Sequence, residues 1–263
     1  MRYSNVLPSK WRLLYLYDLL RSLVNRDMKL LYKRSALGVA WTLISPLLQL
    51  AVFAIVFQRV LAINVPQYSS FVFIGLLVWA WFQNSLFQAT GVIVANRALI
   101  RQPNFPSVIL PIVTVTTGLV HFILAMPILI AFLYFDDVQF QPVILYLPLL
   151  QILQFVFTVG LAYLLAALNV TFRDTQHTLG VLLQLWFYLT PIFYDLKTIP
   201  EEFAVLFRFN PMVSIVQSYR AILLEGTAPD WTPLLIIAAS TAILLPIGHQ
   251  VFKHQSYHFV EEI

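Results

Sequence analysis

Six stretches of this chain contain no Asp, Glu, Lys or Arg: residues 35–58, 60–96, 102–135, 138–172, 175–194 and 231–252. The shortest of them has 20 residues, and about 20 predominantly apolar residues suffice for a helix to cross the hydrocarbon core of a bilayer. A soluble α-protein with helices this long would need polar faces recurring every third or fourth residue. The stretches lack them, and only 11% of the chain is charged, against about 25% in an ordinary globular protein. The expected fold class is therefore an all-α polytopic membrane protein with six transmembrane helices. No apolar core of a cleavable signal precedes the first of them, so that helix is expected to direct its own insertion.

The basic residues set the expected orientation. Eight of the sixteen Lys and Arg lie before residue 35. Counting onward by alternate connections gives 12 (8 + 2 + 1 + 1) on one side and 4 (1 + 0 + 3) on the other. The richer side is cytoplasmic by the positive-inside rule, which predicts both termini in the cytoplasm. This skew also accounts for the net charge of +4 without nucleic acid as a partner.

Residues 9–34 read as an amphipathic helix. At about 100° per residue, Leu13, Leu16, Tyr17, Leu20, Val24, Met28 and Leu31 share one face, and Asp18, Ser22, Asn25, Lys29 and Lys33 the other. Such a helix lies in the membrane interface, with Arg26, Lys29, Lys33 and Arg34 toward lipid head groups or a substrate pyrophosphate. The expected layout is one integral domain over residues 1–263, with spans at 36–58, 69–95, 107–133, 143–170, 177–194 and 231–252. Between the last two, 195–230 holds apolar runs too short or too charged to span, divided by Asn210-Pro211, and reads as an external re-entrant region.

Enzymatic chemistry finds little purchase. The five histidines are scattered or, as His254 and His258, lie in the tail; Asp136-Asp137 and Glu201-Glu202 sit in loops. No metal-ligand spacing occurs, there is no cysteine, and no GxxxxGK[ST] phosphate loop is present. Ion coupling normally needs ionisable groups within the spans. Only His121 lies deep, on a face with Thr114 and Thr117 that suits helix packing as well as relay.

What the spans do offer is neutral polarity and aromatic surface. Gln151, Gln154, Thr158, Ala162, Ala166 and Asn169 form one polar and small stripe, and Asn84, Gln88 and Gly91 another. Sugars carry hydroxyls and C–H faces that lie against aromatic rings. Trp79, Phe82, Phe87, Gln151, Phe155, Trp186, Tyr188 and Tyr194 are the candidate glycan path. Helix packing and interfacial belts use the same residue types.

The inner loops are short. "NRALIRQPNFP" sets Arg97 and Arg101 one turn apart on a helix ended by prolines, and "NVTFRDTQH" carries the pair Arg173-Asp174. Both read as topology anchors or as docking knobs for a motor.

The run "RDMKLLYKRSALGVAWTLISPLLQ", with "RQPNFPSVILP", "NVTFRD", and "TPIFY" followed by "FNPMVSIVQSYRAILLEG", resembles ABC-2-type polysaccharide exporter permeases, of the kind that export O-antigen or teichoic acid. The resemblance runs through nearly the whole chain. It implies a transport subunit, not an enzyme: two copies form the channel in the bacterial inner membrane, and two copies of a separate ABC ATPase hold ATP and Mg. It implies a coupling helix seated in that ATPase, with Arg97, Ile100, Arg101, Gln102, Asn104 and Phe105, and a second contact loop with Arg173 and Asp174. It also implies an external gate near Asn210, Pro211 and Arg220, and a lipid-linked glycan as cargo. A small drug or lipid exporter of the same fold, and a membrane enzyme of glycan assembly, are the alternatives.

Overall fold

The computed structural model describes residues 9–33, 38–60 and 65–262. Helix α1 (Ser9–Tyr32) is followed by α2 (Trp41–Phe53), which continues as a π-helical stretch, Ala54–Val60. Then come α3 (Tyr68–Ala95), the single turn α4 (Arg97–Ile100), α5 (Ile109–Phe135), α6 (Leu147–Thr171) and α7 (Thr175–Tyr188). Two short helices, α8 (Glu201–Arg208) and α9 (Pro211–Arg220), precede α10 (Trp231–Gln255) and a terminal turn, α11 (Phe259–Glu262). No strand occurs among the described residues, so the fold is all-α and polytopic.

Among the described residues, five segments are long and apolar enough to cross a membrane: Leu43–Val60, Tyr68–Ala95, Ile109–Phe135, Pro142–Thr171 and Trp231–Gln255. The sixth expected span, 177–194, is different. Helix α7 has 14 residues, about 21 Å at 1.5 Å per residue, which is short of a hydrocarbon core of about 30 Å. It stops because Pro191 has no N–H to donate, and the chain turns instead: Thr190 Oγ1 bonds back to the Trp186 carbonyl at 2.9 Å, and the Ile192 N–H to the Thr190 carbonyl at 2.7 Å.

Helix α3 is the axis of the protomer. In its most apolar window 78% of residues are buried, against 11% for Leu43–Val60. It packs on α5 and α6, and more lightly on α2, α7 and α9, while α10 lies along α6. Small residues permit the close crossings. A Cβ on Gly248 would sit 2.6 Å from the Gly160 carbonyl oxygen, so α6 and α10 meet backbone to backbone.

Helix α1 behaves differently along its length. Its C-terminal half docks on α5 with Leu23 and Val24 buried, whereas Leu13, Leu14, Tyr15 and Tyr17 stay exposed. Of the expected apolar face, Leu13 and Tyr17 stay free for an interface, while Leu16, Leu20, Val24 and Met28 pack on the core.

Candidate functional site

One end of the bundle gathers the short polar elements: α1, α4, the α6–α7 turn and α11. In α4, Ile100 is buried and pins the turn to the core, while Arg97 and Arg101 are exposed. The chain then reverses through Gln102 and Asn104, both exposed, with Asn104 in the left-handed region at φ 62°, a conformation Asn tolerates better than most residues. Phe105 is half-buried and packs against the core. Of the six coupling candidates in this loop, Ile100 is thus an anchor with no surface to offer, and four present polar or charged side chains outward.

Arg173 and Asp174 are exposed on the same face. Arg173 Nη2 donates to the Glu262 carbonyl at 3.4 Å, and α11 also packs on α4 and α6, so the terminal turn bridges the two loops. Sequence reading passed over Gln176, which fastens the turn to α3: its side-chain Nε2 donates to the Phe87 carbonyl at 3.3 Å, and its backbone N–H to Asn169 Oδ1 at 3.2 Å. Asn169 had stood out only as one member of a polar stripe.

The basic residues of α1 divide. Arg26 is already engaged: Nε and Nη2 donate to Asp27 Oδ1 at 3.0 and 2.8 Å, and Nη2 to Asn96 Oδ1 at 2.9 Å. It ties α1 to the residue that opens α4 while lining the same cleft as Lys29 and Lys33. Lys29 and Lys33 are exposed and line a cleft with Ser22 and Asn25; Arg34 lies outside the described residues.

The eight candidate path residues do not form one lining. Phe82 is fully buried and Trp79 nearly so. With Trp186 and Phe157 they make an aromatic cluster between α3, α6 and α7, in which Phe82 lies 5.2 Å from Trp186 edge-on and 6.0 Å from Phe157 in a stack. Aromatic pairs at such spacings are packing elements of a core. Trp79 also donates to Gln83 Oε1. Phe87 and Tyr188 are exposed, whereas Gln151 is half-buried on α6. Phe155 lines an apolar groove with Ile112, Tyr163 and His249, on the α5–α6–α10 side. Tyr194 is half-buried and donates its hydroxyl to the Tyr188 carbonyl at 2.8 Å.

The expected external gate is a knot of hydrogen bonds. Asn210 caps α9 by accepting from the Met212 N–H at 3.0 Å, and the same Oδ1 accepts from Trp186 Nε1 at 2.8 Å. Its Nδ2 donates to the Leu189 carbonyl at 3.0 Å and to Thr190 Oγ1 at 3.1 Å. Pro211 occupies the first helical position, where its missing donor costs nothing.

Arg220, expected near an outer mouth, is instead 1% exposed. Its guanidinium donates to the carbonyls of Pro191 (2.7 Å), Ile192 (2.8 Å) and Phe71 (3.1 and 3.2 Å), and lies 3.4 Å above the Phe71 ring. Burial pulls it below the ordinary arginine value, to about 9, against the opposing pull of Asp195 and Glu225, so it stays a cation at neutral pH. Room for it comes from Gly75, where a Cβ would stand 3.0 Å from Arg220 Nη2. Because 220 sits on a short segment outside the spans, nothing in the linear pattern marked it as buried.

The pattern of the family described as "ABC-2 type transporter" matches residues 18–224. The chain is 39% identical over 256 residues to the O-antigen export system permease protein RfbA of Myxococcus xanthus, covering 96% of this chain and 98% of that protein. It is 32% identical over 258 residues to the Klebsiella pneumoniae protein of the same name, covering 97% and 98%. A more distant relative is the polysialic acid transport protein KpsM of Escherichia coli, at 24% over 235 residues, covering 87% and 90%. With five helices among the described residues long and apolar enough to cross a membrane, and a family match across most of its length, this chain is a member of the ABC-2 type transporter family.

Proposed function

We propose that this chain is the permease subunit of an ATP-driven exporter of lipid-linked polysaccharide, working as a homodimer with two copies of an ABC ATPase. The observation that carries this reading is the near end-to-end identity to O-antigen export permeases, 39% over 96% of the chain. The cytoplasmic membrane of a bacterium is the proposed location, with both termini in the cytoplasm, and hence the face carrying α1, α4 and α11 toward the motor.

The division of labour follows from what the chain contains. It has no phosphate-binding loop, so the energy must reach it as a mechanical load. A motor shifts a two-state equilibrium only through a differential interaction with the two states. Arg97, Arg101, Gln102 and Asn104 on one loop, with Arg173 and Asp174 on the next, are the exposed groups that would feel an ATPase open and close. ATP and Mg belong to that partner, and neutral glycan chemistry gives no reason for nucleic acid contact.

A closed, isologous pair is the economical assembly. The exposed apolar face of α2, with Trp41, Leu48, Val52 and Ile55, together with Tyr188 on α7, is the surface proposed to face the second copy and the conduit between them.

The test is reconstitution. Proteoliposomes carrying the chain and its cognate ATPase should move lipid-linked glycan to the protected side only with hydrolysable ATP. ATPase stimulation by small amphiphiles with none by glycan would overturn this reading in favour of a drug or lipid exporter; glycan chemistry without any ATPase would point to an assembly enzyme.

A further inference from the structure

A cavity of about 340 Å³ opens between α2, α3 and α5, near the middle of α3. Its walls include Gln49, Asn84, Ser85, Gln88 and Thr117, and among its described lining residues none carries a formal charge apart from what His121 can take up. It has no part in the coupling surface described above.

Several features mark it as built for a guest. Ser45, Asn84 and Gln88 are exposed in its wall, whereas the Ser85 Oγ behind them is closed off without a hydrogen-bond partner. It is closed off by Gly118, where a Cβ would stand 2.4 Å from that oxygen and 2.8 Å from Trp81 Cδ1, so α3 and α5 touch at this point of the wall. The Trp81 ring is held in place by its Nε1–H, which donates to the Val115 carbonyl at 3.2 Å. Thr114 and Thr117 spend their hydroxyl protons on the carbonyls of Leu110 and Val113, which leaves their oxygens as acceptors.

The cavity neighbours a second cleft, of about 520 Å³, and Gln88 and Thr114 line both. That cleft is bounded by Asp27, Asn96, Arg173 and Gln176, the residues of the α4 face. Gln88 and Thr114 are thus the polar residues that stand between that face and the cavity.

At membrane depth a dry pocket with amide and hydroxyl walls is costly, because unpaired polar groups have no solvent to turn to. Empty cavities are apolar; polar ones of this size hold water or a ligand. An ion would find no counter-charge in the inner chamber. An uncharged guest bearing several hydroxyls would find donors and acceptors in Asn, Gln, Ser and Thr, and ring surface on Trp81. The volume is at the lower end of ligand pockets, which run from about 300 to 1,000 Å³, so a single ring fits and a polymer does not.

We propose that the α2–α3–α5 cavity is a hydrated binding site, fed from the α4 face past Gln88 and Thr114, for an uncharged hydroxyl-bearing ring such as one sugar residue. Only the identity of the guest rests on the export reading.

The chain has no cysteine, so Asn84→Cys or Gln88→Cys places one thiol in the full-length protein. Membrane vesicles exposing the α4 face are treated with a charged, membrane-impermeant thiosulfonate, which reacts with the thiolate and so needs water. Ile123→Cys, on an exposed apolar face of α5, is the reference. Both cavity thiols should label about tenfold faster than the reference, since thiolate forms only where the site is hydrated, and octyl glucoside should slow them while octyl phosphocholine does not. Slow labelling at both positions, labelling that neither amphiphile slows, or equal slowing by both overturns the proposal. Failure of glycan transport by the unmodified complex would instead strike the export reading and leave the labelling pattern untouched.

Discussion

Arg220 and Asn210 do at single positions what the spans cannot do alone: they hold the irregular stretch after α7 against α3. The guanidinium satisfies three carbonyls that the turn at Pro191 and the start of α3 present. Replacing Arg220 with Ala leaves those acceptors buried, at about 1–3 kcal/mol for each that finds no new partner. The expected outcome is a large fall in the melting temperature of the detergent-purified protein. Gly75→Ala tests the same clamp from the other side. It gains up to about 1 kcal/mol of helix propensity, yet its Cβ would press on Arg220 Nη2 and on Ile192 Cγ2 at 3.2 Å. Overpacking of this kind costs about 1–3 kcal/mol, so a net loss of stability is expected; a gain would mean that the guanidinium moves aside freely. For Asn210, Ala removes the α9 cap and the acceptor for Trp186, whereas Asp keeps both but sets a carboxylate oxygen against the Leu189 carbonyl where Nδ2 donated. Thermal stability should therefore fall in the order Asn, Asp, Ala, and an Asp variant no better than Ala would show that the cap is not what Asn210 contributes.

At the scale of elements, the decisive object is the loop around α4, held by a buried Ile100 and ringed by exposed polar groups. Reversing its charge with Arg97→Glu and Arg101→Glu leaves that anchor in place, so the protein should still insert, and on the proposed reading the motor's strokes should no longer reach it. The measurement is ATP hydrolysis and glycan transport in the same proteoliposomes: hydrolysis should persist while transport falls by an order of magnitude or more. Unchanged transport would remove the loop from the coupling path. The loop itself was legible in the sequence, because Pro103 and Pro106 punctuate it and charge returns after a long uncharged run. The burial of Ile100 was not, since a four-residue helix has no periodicity from which to read a face. The same holds for the aromatics. Trp79 and Phe82 look like candidates for a path by residue type, but residue type does not distinguish a ring that faces a conduit from one that packs into a core. Helix α7 was overextended for a related reason: absence of charge defined the stretch 175–194, and the break before Pro191 came from a turn whose carbonyls are taken up by a distant arginine.

For the whole molecule, the long helices follow from where charge is missing, whereas the surface proposed to meet a second copy stands out only once α3 is seen to be surrounded and α2 is not. An exposed apolar helix has two physical meanings in a membrane protein: it faces lipid, or it faces a second copy and the water-filled path between copies. The two differ in what a carboxylate would do there. On a lipid-facing helix, Leu48→Glu and Val52→Glu would each raise the cost of insertion by about 2.5–3.5 kcal/mol near the bilayer centre, and the protein would be lost from the membrane. On a helix at a hydrated two-fold interface the charge remains solvated, insertion is kept, and the paired like charges push the copies apart. Membrane-extracted Leu48→Glu and Val52→Glu should thus appear at near-normal abundance, with the dimer converted to monomer by mass measurement in mild detergent. If abundance collapses instead while the surviving molecules remain dimeric, α2 faces lipid and the second copy must dock elsewhere, with the exposed residues of α7 as the remaining apolar surface on that side of α3.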